Sequence, residues 1–164
     1  MKRTRMAALA AILAFGLATG ATAQEEAAGP SQDAAWHNQQ MIALASRQAS
    51  DGWQWLPGGL LWRRVAGDGS GKHPTVQDVV TLHYAGTLVD GTEFDSSYAR
   101  RQPATFPLQA LIPAWQMAVP EMGVGDTIEI ATPSTLAYGP IGRGPIPGGA
   151  TLLFKIELLG IQER

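Results

Sequence analysis

Apolar and polar positions alternate most cleanly near the C-terminal end, where Leu152, Phe154, Ile156 and Leu158 interleave with Leu153, Lys155, Glu157 and Leu159. A period of two over residues 150–159 predicts a strand packed over a core. The same alternation runs through Val76 to Val89, with Val80, Leu82 and Tyr84 on one face and Thr81, His83 and Ala85 on the other. Tyr84 then points into the core, and His83 reads as an outward, solvated residue rather than a base. Shorter strands are expected over Leu60–Val65, Ala104–Leu108 and Asp126–Ala131, the last with Ile128 and Ile130 sharing a face. Two stretches follow helical spacing instead. One is Leu111–Val119, starting over Pro113; the other is Ala34–Ala49, with Trp36, Met41, Ile42, Leu44 and Ala45 as its apolar stripe, Asp33 as cap and Gly52 as stop. So narrow a stripe either docks on its own fold or pairs with a second copy, and docking is the simpler use.

Turn chemistry separates these elements at Pro57-Gly58-Gly59, after Trp53, Trp55 and Leu56, and at Val89-Asp90-Gly91-Thr92. Gly67-Asp68-Gly69-Ser70-Gly71-Lys72 invites a phosphate-loop reading, which fails. That loop needs glycine where Ala66 stands and Ser or Thr where His73 stands, so a surface turn is expected. Strands divided by turns, one embedded helix and no strand–helix–strand repeat predict an α+β fold, an antiparallel sheet with a helix on its inner face.

The first 23 residues change the picture. Lys2, Arg3 and Arg5 precede an apolar run from Met6 to Ala18 that ends in Ala21-Thr22-Ala23, the pattern of a signal peptide rather than of a membrane anchor of about 20 apolar residues. Its removal takes three of the 12 basic residues and none of the 14 acidic ones, leaving a charge of −5 over 141 residues. That balance argues against nucleic acid and membrane surfaces as partners. With no cysteine the chain has neither disulfide nor lipid-anchor acceptor, so a soluble periplasmic protein is expected. Residues 24–33, rich in Ala, Gln, Glu, Gly, Pro and Ser, form a leader too polar to fold. The expected organisation is a signal peptide at 1–23, a leader with the short helix at 24–56, and one domain at 57–164.

Chemistry is narrowed by exclusion. Three scattered histidines, with no HExxH, EF-hand or Gly-x-Ser-x-Gly pattern, leave metal and acyl-transfer enzymes unsupported. What remains is aromatic and aliphatic residues at loop and strand ends with one acid among them, the composition of an apolar binding pocket.

The run from His83 to Ser97, through Tyr84, Gly86 and Phe94-Asp95-Ser96-Ser97, resembles the FKBP-type peptidyl-prolyl cis/trans isomerases, as do Ile112-Pro113-Ala114-Trp115, Ala137-Tyr138-Gly139 and Ile146-Pro147. The resemblance covers residues 59–162 and implies a twisted antiparallel half-barrel wrapped round a short helix, here preceded by an N-terminal helix. It implies catalysis of Xaa-Pro rotation without metal, cofactor or covalent intermediate, on proline-containing unfolded or partly folded polypeptides, by a monomer or weak dimer, with macrolides as inhibitors. It assigns Tyr84, Phe94, Asp95 and Tyr138 to the catalytic set. Arg100, Phe106, Leu111, Ile112, Trp115, Ile146 and Phe154 become the substrate- and macrolide-binding set. Asp95 is expected to bond Tyr84 or pair with Arg100. Ala104 stands where some members place a pocket aromatic, leaving Phe106 as the substitute, Ala114 replaces a glycine, and Arg143 lies in a variable loop.

Each of these residues also has a plainer use. Trp115 and Phe154 would be buried by any core of this size, and an acid at Asp95 commonly caps a turn. The main functional rival is a non-enzymatic chaperone that captures unfolded chains with the same pocket and the Trp36–Leu56 segment. A hydrolase fails for want of a nucleophile–base pair.

Overall fold

A computed structural model describes residues 34–162; the signal-peptide pattern, the 24–33 leader and the Asp33 cap lie outside them. The chain runs through α1 (Ala34–Ala45), β1 (Gln54–Leu56), β2 (Leu60–Ala66), β3 (Val79–Leu88), β4 (Glu93–Ser96), β5 (Ala104–Pro107), α2 (Pro113–Ala118), β6 (Thr127–Thr132), β7 (Gly142–Arg143), β8 (Ile146–Pro147) and β9 (Leu152–Gln162). One antiparallel sheet takes the order β1-β2-β6-β9-β3-β4. Strand β3 is long enough to pair β5 along Val79–Leu82 and β4 along Ala85–Thr87. The expected α+β fold is present.

Four strands went unread in the sequence, the two-residue β7 and β8 among them. Gln54–Leu56, expected to lead into a turn, is itself the edge strand β1. Strand β4 carries Phe94-Asp95 and is broken by a bulge: Gly86 faces Asp95 and Thr87 faces Glu93, so Phe94 is the extra residue. The expected turn before it closes by Gly91 N–H to Leu88 O (3.0 Å) and Thr92 N–H to Asp90 Oδ1 (2.9 Å).

The inner face of the sheet holds the main core, where Leu82, Ile128, Ile130, Leu152, Ile156 and Leu158 are excluded from water. Helix α2 buries Ala114, Trp115 and Ala118 against it. This helix is shorter than the 111–119 expected. Pro113 opens it, and Pro120, which cannot donate to the preceding turn, converts its end into a 3-10 turn over Val119–Glu121.

Helix α1 docks, through only part of the predicted stripe. Trp36, Gln40 and Leu44 recur every four residues and face the fold, whereas Met41 and Ile42 fall on the far side and are 68% and 63% exposed. Gln40 is the one buried residue of the helix, its Oε1 accepting the Thr151 N–H (2.9 Å). The helix also ends at Ala45 rather than Ala49. A 3-10 turn over Ala49–Asp51, stopped by Gly52 in the left-handed region (φ 83°), then delivers Trp53 onto Leu61 and Ala131 of the outer face. Among the described residues no helix is long and apolar enough to cross a membrane.

The glycine loop is a turn, held down by the buried Asp126. Its carboxylate accepts from Gly69 N–H (3.1 Å), Gly123 N–H (2.9 Å) and Arg64 Nε (2.9 Å). At the same loop His73 directs Nδ1 at Pro120 O (2.8 Å) and Nε2 at Gly69 O (2.9 Å). Both partners only accept, so both ring nitrogens must donate, and these contacts raise its pKa above the ordinary value.

Candidate active site

Tyr84 comes from the inner face of β3, Phe94 and Asp95 from the bulged β4, Trp115 from α2 and Phe154 from β9. Their rings meet edge to face. The Trp115 ring lies 5.2 Å from that of Tyr84 and 5.4 Å from that of Phe154, and Phe94 stands 5.7 Å from Phe154 at 88°. Trp115 and Phe154 therefore belong to the core and to the site at once, and both readings of them hold.

These side chains line a cavity of about 330 Å³ together with Asp95, Phe106, Leu111, Ile112, Tyr138 and Arg143. Ile146 lies outside it, in an adjoining groove of about 270 Å³ shared with Phe94, Asp95, Tyr138 and Arg143. Arg100 lines neither and sits behind the carboxylate. The expected residues thus converge on one place, with Ile146 beside it and Arg100 in support. Arg143 lines both spaces, although it stood out in the sequence only as a loop variation.

Asp95 has both expected partners rather than one. Its Oδ2 accepts the Tyr84 hydroxyl (2.5 Å) and its Oδ1 pairs with Arg100, whose Nη2 also donates to the Tyr84 oxygen (3.0 Å). Burial pushes the Asp95 carboxyl up, but the Tyr84 and Arg100 contacts outweigh it and hold the group below the ordinary carboxylate value. The Tyr84 hydroxyl is raised, first by burial and then by its bond to Asp95. Tyr84 is consequently committed internally. The Tyr138 hydroxyl makes no hydrogen bond among the described residues and remains the available donor. The Trp115 Nε1–H is also buried without an acceptor among them.

Gly86 entered the sequence reading only as part of the strand motif, with no role in the site. A Cβ there would lie 2.6 Å from Phe94 and 2.8 Å from Phe154, so the missing side chain is what lets the two rings approach the strand. A lone glycine inside an alternating strand was the available signal.

His83 is only half-buried, yet it is not simply solvated. Its Nδ1 lies 2.9 Å from Ser97 Oγ and its ring stacks on Tyr98 at 4.7 Å. Ser97 is fully buried and accepts the Tyr84 N–H (2.7 Å), so this serine–histidine contact clamps the backbone and offers no exposed nucleophile.

The family model described as FKBP-type peptidyl-prolyl cis-trans isomerase matches residues 70–159. The chain belongs to that family. It is 45% identical over 120 residues to the FKBP-type isomerase FkpA of Aeromonas hydrophila, a match covering 73% of this chain and 44% of that one. It is 42% identical over 122 residues to the isomerase Mip of Coxiella burnetii, covering 74% and 53%. The chain thus spans about half the length of these curated relatives. The crystal structure of an isomerase from Pseudomonas syringae superposes with a TM-score of 0.70 at 31% identity, covering 77% of this chain and 92% of that one.

Proposed function

We propose that this chain is a peptidyl-prolyl cis/trans isomerase that accelerates Xaa-Pro rotation in unfolded or partly folded exported proteins. The observation that carries the reading is the convergence of Tyr84, Phe94, Trp115 and Phe154 on one apolar cavity whose only acid, Asp95, is internally neutralised. In this reading residues 57–164 form the isomerase domain, residues 1–23 direct export to the periplasm, and the cavity also takes macrolides.

A prolyl amide rotates slowly because resonance gives its C–N bond double-bond character, with a barrier of about 18–20 kcal/mol. Resonance separates charge, so the planar amide is more polar than the twisted one, and apolar walls disfavour the planar form. An acceleration of about 10⁴ needs about 5.4 kcal/mol of preference for the twisted geometry, more than one ordinary hydrogen bond supplies. The aromatic walls act together with Tyr138, whose hydroxyl positions the substrate carbonyl. A bond that only reinforced the planar carbonyl would oppose rotation. Asp95 and Arg100 hold Tyr84 in place, and no covalent step is required.

Cis/trans exchange of a short Xaa-Pro peptide, measured with and without a macrolide, tests the proposal. Acceleration abolished by the drug supports it; no acceleration by the folded chain overturns it. A second reading, a polypeptide-holding module, rests on the exposed Met41, Ile42 and Trp55. Suppression of client aggregation that persists with the drug bound would favour that surface.

A further inference from the structure

On the outer face of the sheet, opposite the aromatic pocket, lies a cleft of about 250 Å³. Its floor is Leu153, paired with Thr87 of β3, beside Lys155, paired with Ala85; its wall is Trp53 and Arg47, and Glu129 of β6, opposite Lys155 and bridged to Arg63, also lines it. Leu61, Ala131 and Leu44 continue the apolar surface beneath Trp53 as a second, separate core.

Arg47 is the unusual member. The Arg47 and Arg63 guanidiniums lie 5.0 and 4.8 Å from the Trp53 ring centroid, but their circumstances differ. Arg63 is neutralised by Glu129 (2.7 Å), while Arg47 has no carboxylate within ion-pair distance among the described residues. Arg47 donates to the Ala43 carbonyl, and its Nε–H is buried with no acceptor. Burial lowers its pKa; Glu129, beyond ion-pair distance, opposes that shift and the neighbouring Arg63 adds to it. Lys155, at the rim, also makes no ion pair among the described residues.

A half-buried cation that touches no carboxylate, in a cleft whose one acid, Glu129, is already bridged to Arg63, and beside an apolar floor, defines a complementary ligand. We propose that this cleft binds a free carboxylate attached directly to an apolar residue, with the carboxylate on Arg47 and Lys155 and the apolar body on Leu153 and Trp53. The volume admits about one residue, which favours an α-carboxylate carrying its own aliphatic side chain over an acidic side chain, whose carboxylate has no apolar branch. The C-terminal residue of a polypeptide and a free apolar acid share this chemistry.

The test is amide NMR on the full chain titrated with N-acetyl-leucine, N-acetyl-leucinamide and a glycine-rich pentapeptide ending in leucine. Saturable shifts at the Trp53 indole, Thr87 and Lys155 are expected with both acids and absent with the amide. Arg47→Gln should weaken binding about tenfold, as for loss of one charge-assisted hydrogen bond, and leave prolyl exchange unchanged. Lys155→Gln, on an exposed position, should weaken it severalfold and serves if Arg47→Gln does not fold. A tighter pentapeptide assigns the site to chain ends; a tighter free acid assigns it to small acids. Equal binding of the amide, unchanged affinity in the folded variants, or no saturation by about 10 mM acid overturns the proposal.

Discussion

Gly86→Ala probes how the aromatic pocket is assembled. A Cβ on Gly86 would meet three ring atoms at 2.6, 2.7 and 2.8 Å, two of Phe94 and one of Phe154, where carbon atoms ordinarily rest about 3.5–4.0 Å apart. Both rings must retreat by about 1 Å. Phe154 is 6% exposed and wedged against Trp115, so the half-buried Phe94 on its bulge does most of the moving. Overpacking of this kind costs about 1–3 kcal/mol, offset by roughly 0.5 kcal/mol from the stiffer unfolded chain. For a folded unit of this size the net loss lowers Tm by roughly 3–10 °C. Prolyl exchange should fall with it, since the displaced ring is a pocket wall. The assay is a double-mutant cycle with Phe94→Ala, read by urea denaturation. Removing the ring removes most of the clash, so the double variant should be more stable than the sum of the singles by about 1 kcal/mol. Additive effects, or a Gly86→Ala protein as stable and active as the parent, would refute the close approach as the reason for glycine here.

Asp126→Ala leaves two backbone N–H groups and the Arg64 guanidinium without their shared acceptor, and should cost about 2–4 kcal/mol in urea denaturation while prolyl exchange in the folded fraction is retained. His73 has a raised folded pKa, so its contribution is complete below the unfolded value of about 6.5 and disappears as pH rises through the folded one. The Tm difference between the parent and His73→Gln should therefore be largest below about pH 6.5 and shrink as pH rises above it. Asp95 has a lowered folded pKa, so what it contributes is present above about pH 4 and is lost as pH falls through the folded value. An Asp95→Asn protein should accordingly lose less stability than the parent between about pH 5 and pH 2.

The long strands were legible because each buries one face. In β3 the period of two runs from Val79 to Thr87 and in β9 from Leu152 to Leu159, and its inward members are the core. Strand β1 was not legible, because three residues at a sheet edge carry no period and its Trp55 stays exposed. Strand β4 was missed because its bulge breaks the alternation at Phe94. Helix α1 misled for a different reason: hydrophobicity selected Met41 and Ile42, whereas the docked face centres on Gln40, a polar residue buried for its hydrogen bond with Thr151. In the candidate site, Tyr84, Phe94, Trp115, Tyr138 and Phe154 were readable as ordered motifs although they lie far apart in the chain. Gly86 and Arg143 were not singled out as site residues. A glycine matters through the space it leaves, and a loop cation through where the loop folds.

Prolyl exchange in the presence of the full chain and of folded Phe94→Ala and Asp95→Ala variants addresses the central claim most directly. Exchange broadening of the cis and trans proline signals of a short peptide measures the rate without a coupled enzyme. An apolar wall of Phe94 and a Tyr84 held by Asp95 predict strong acceleration by the parent and losses of about tenfold or more in each variant. Unchanged acceleration in both folded variants would contradict the account.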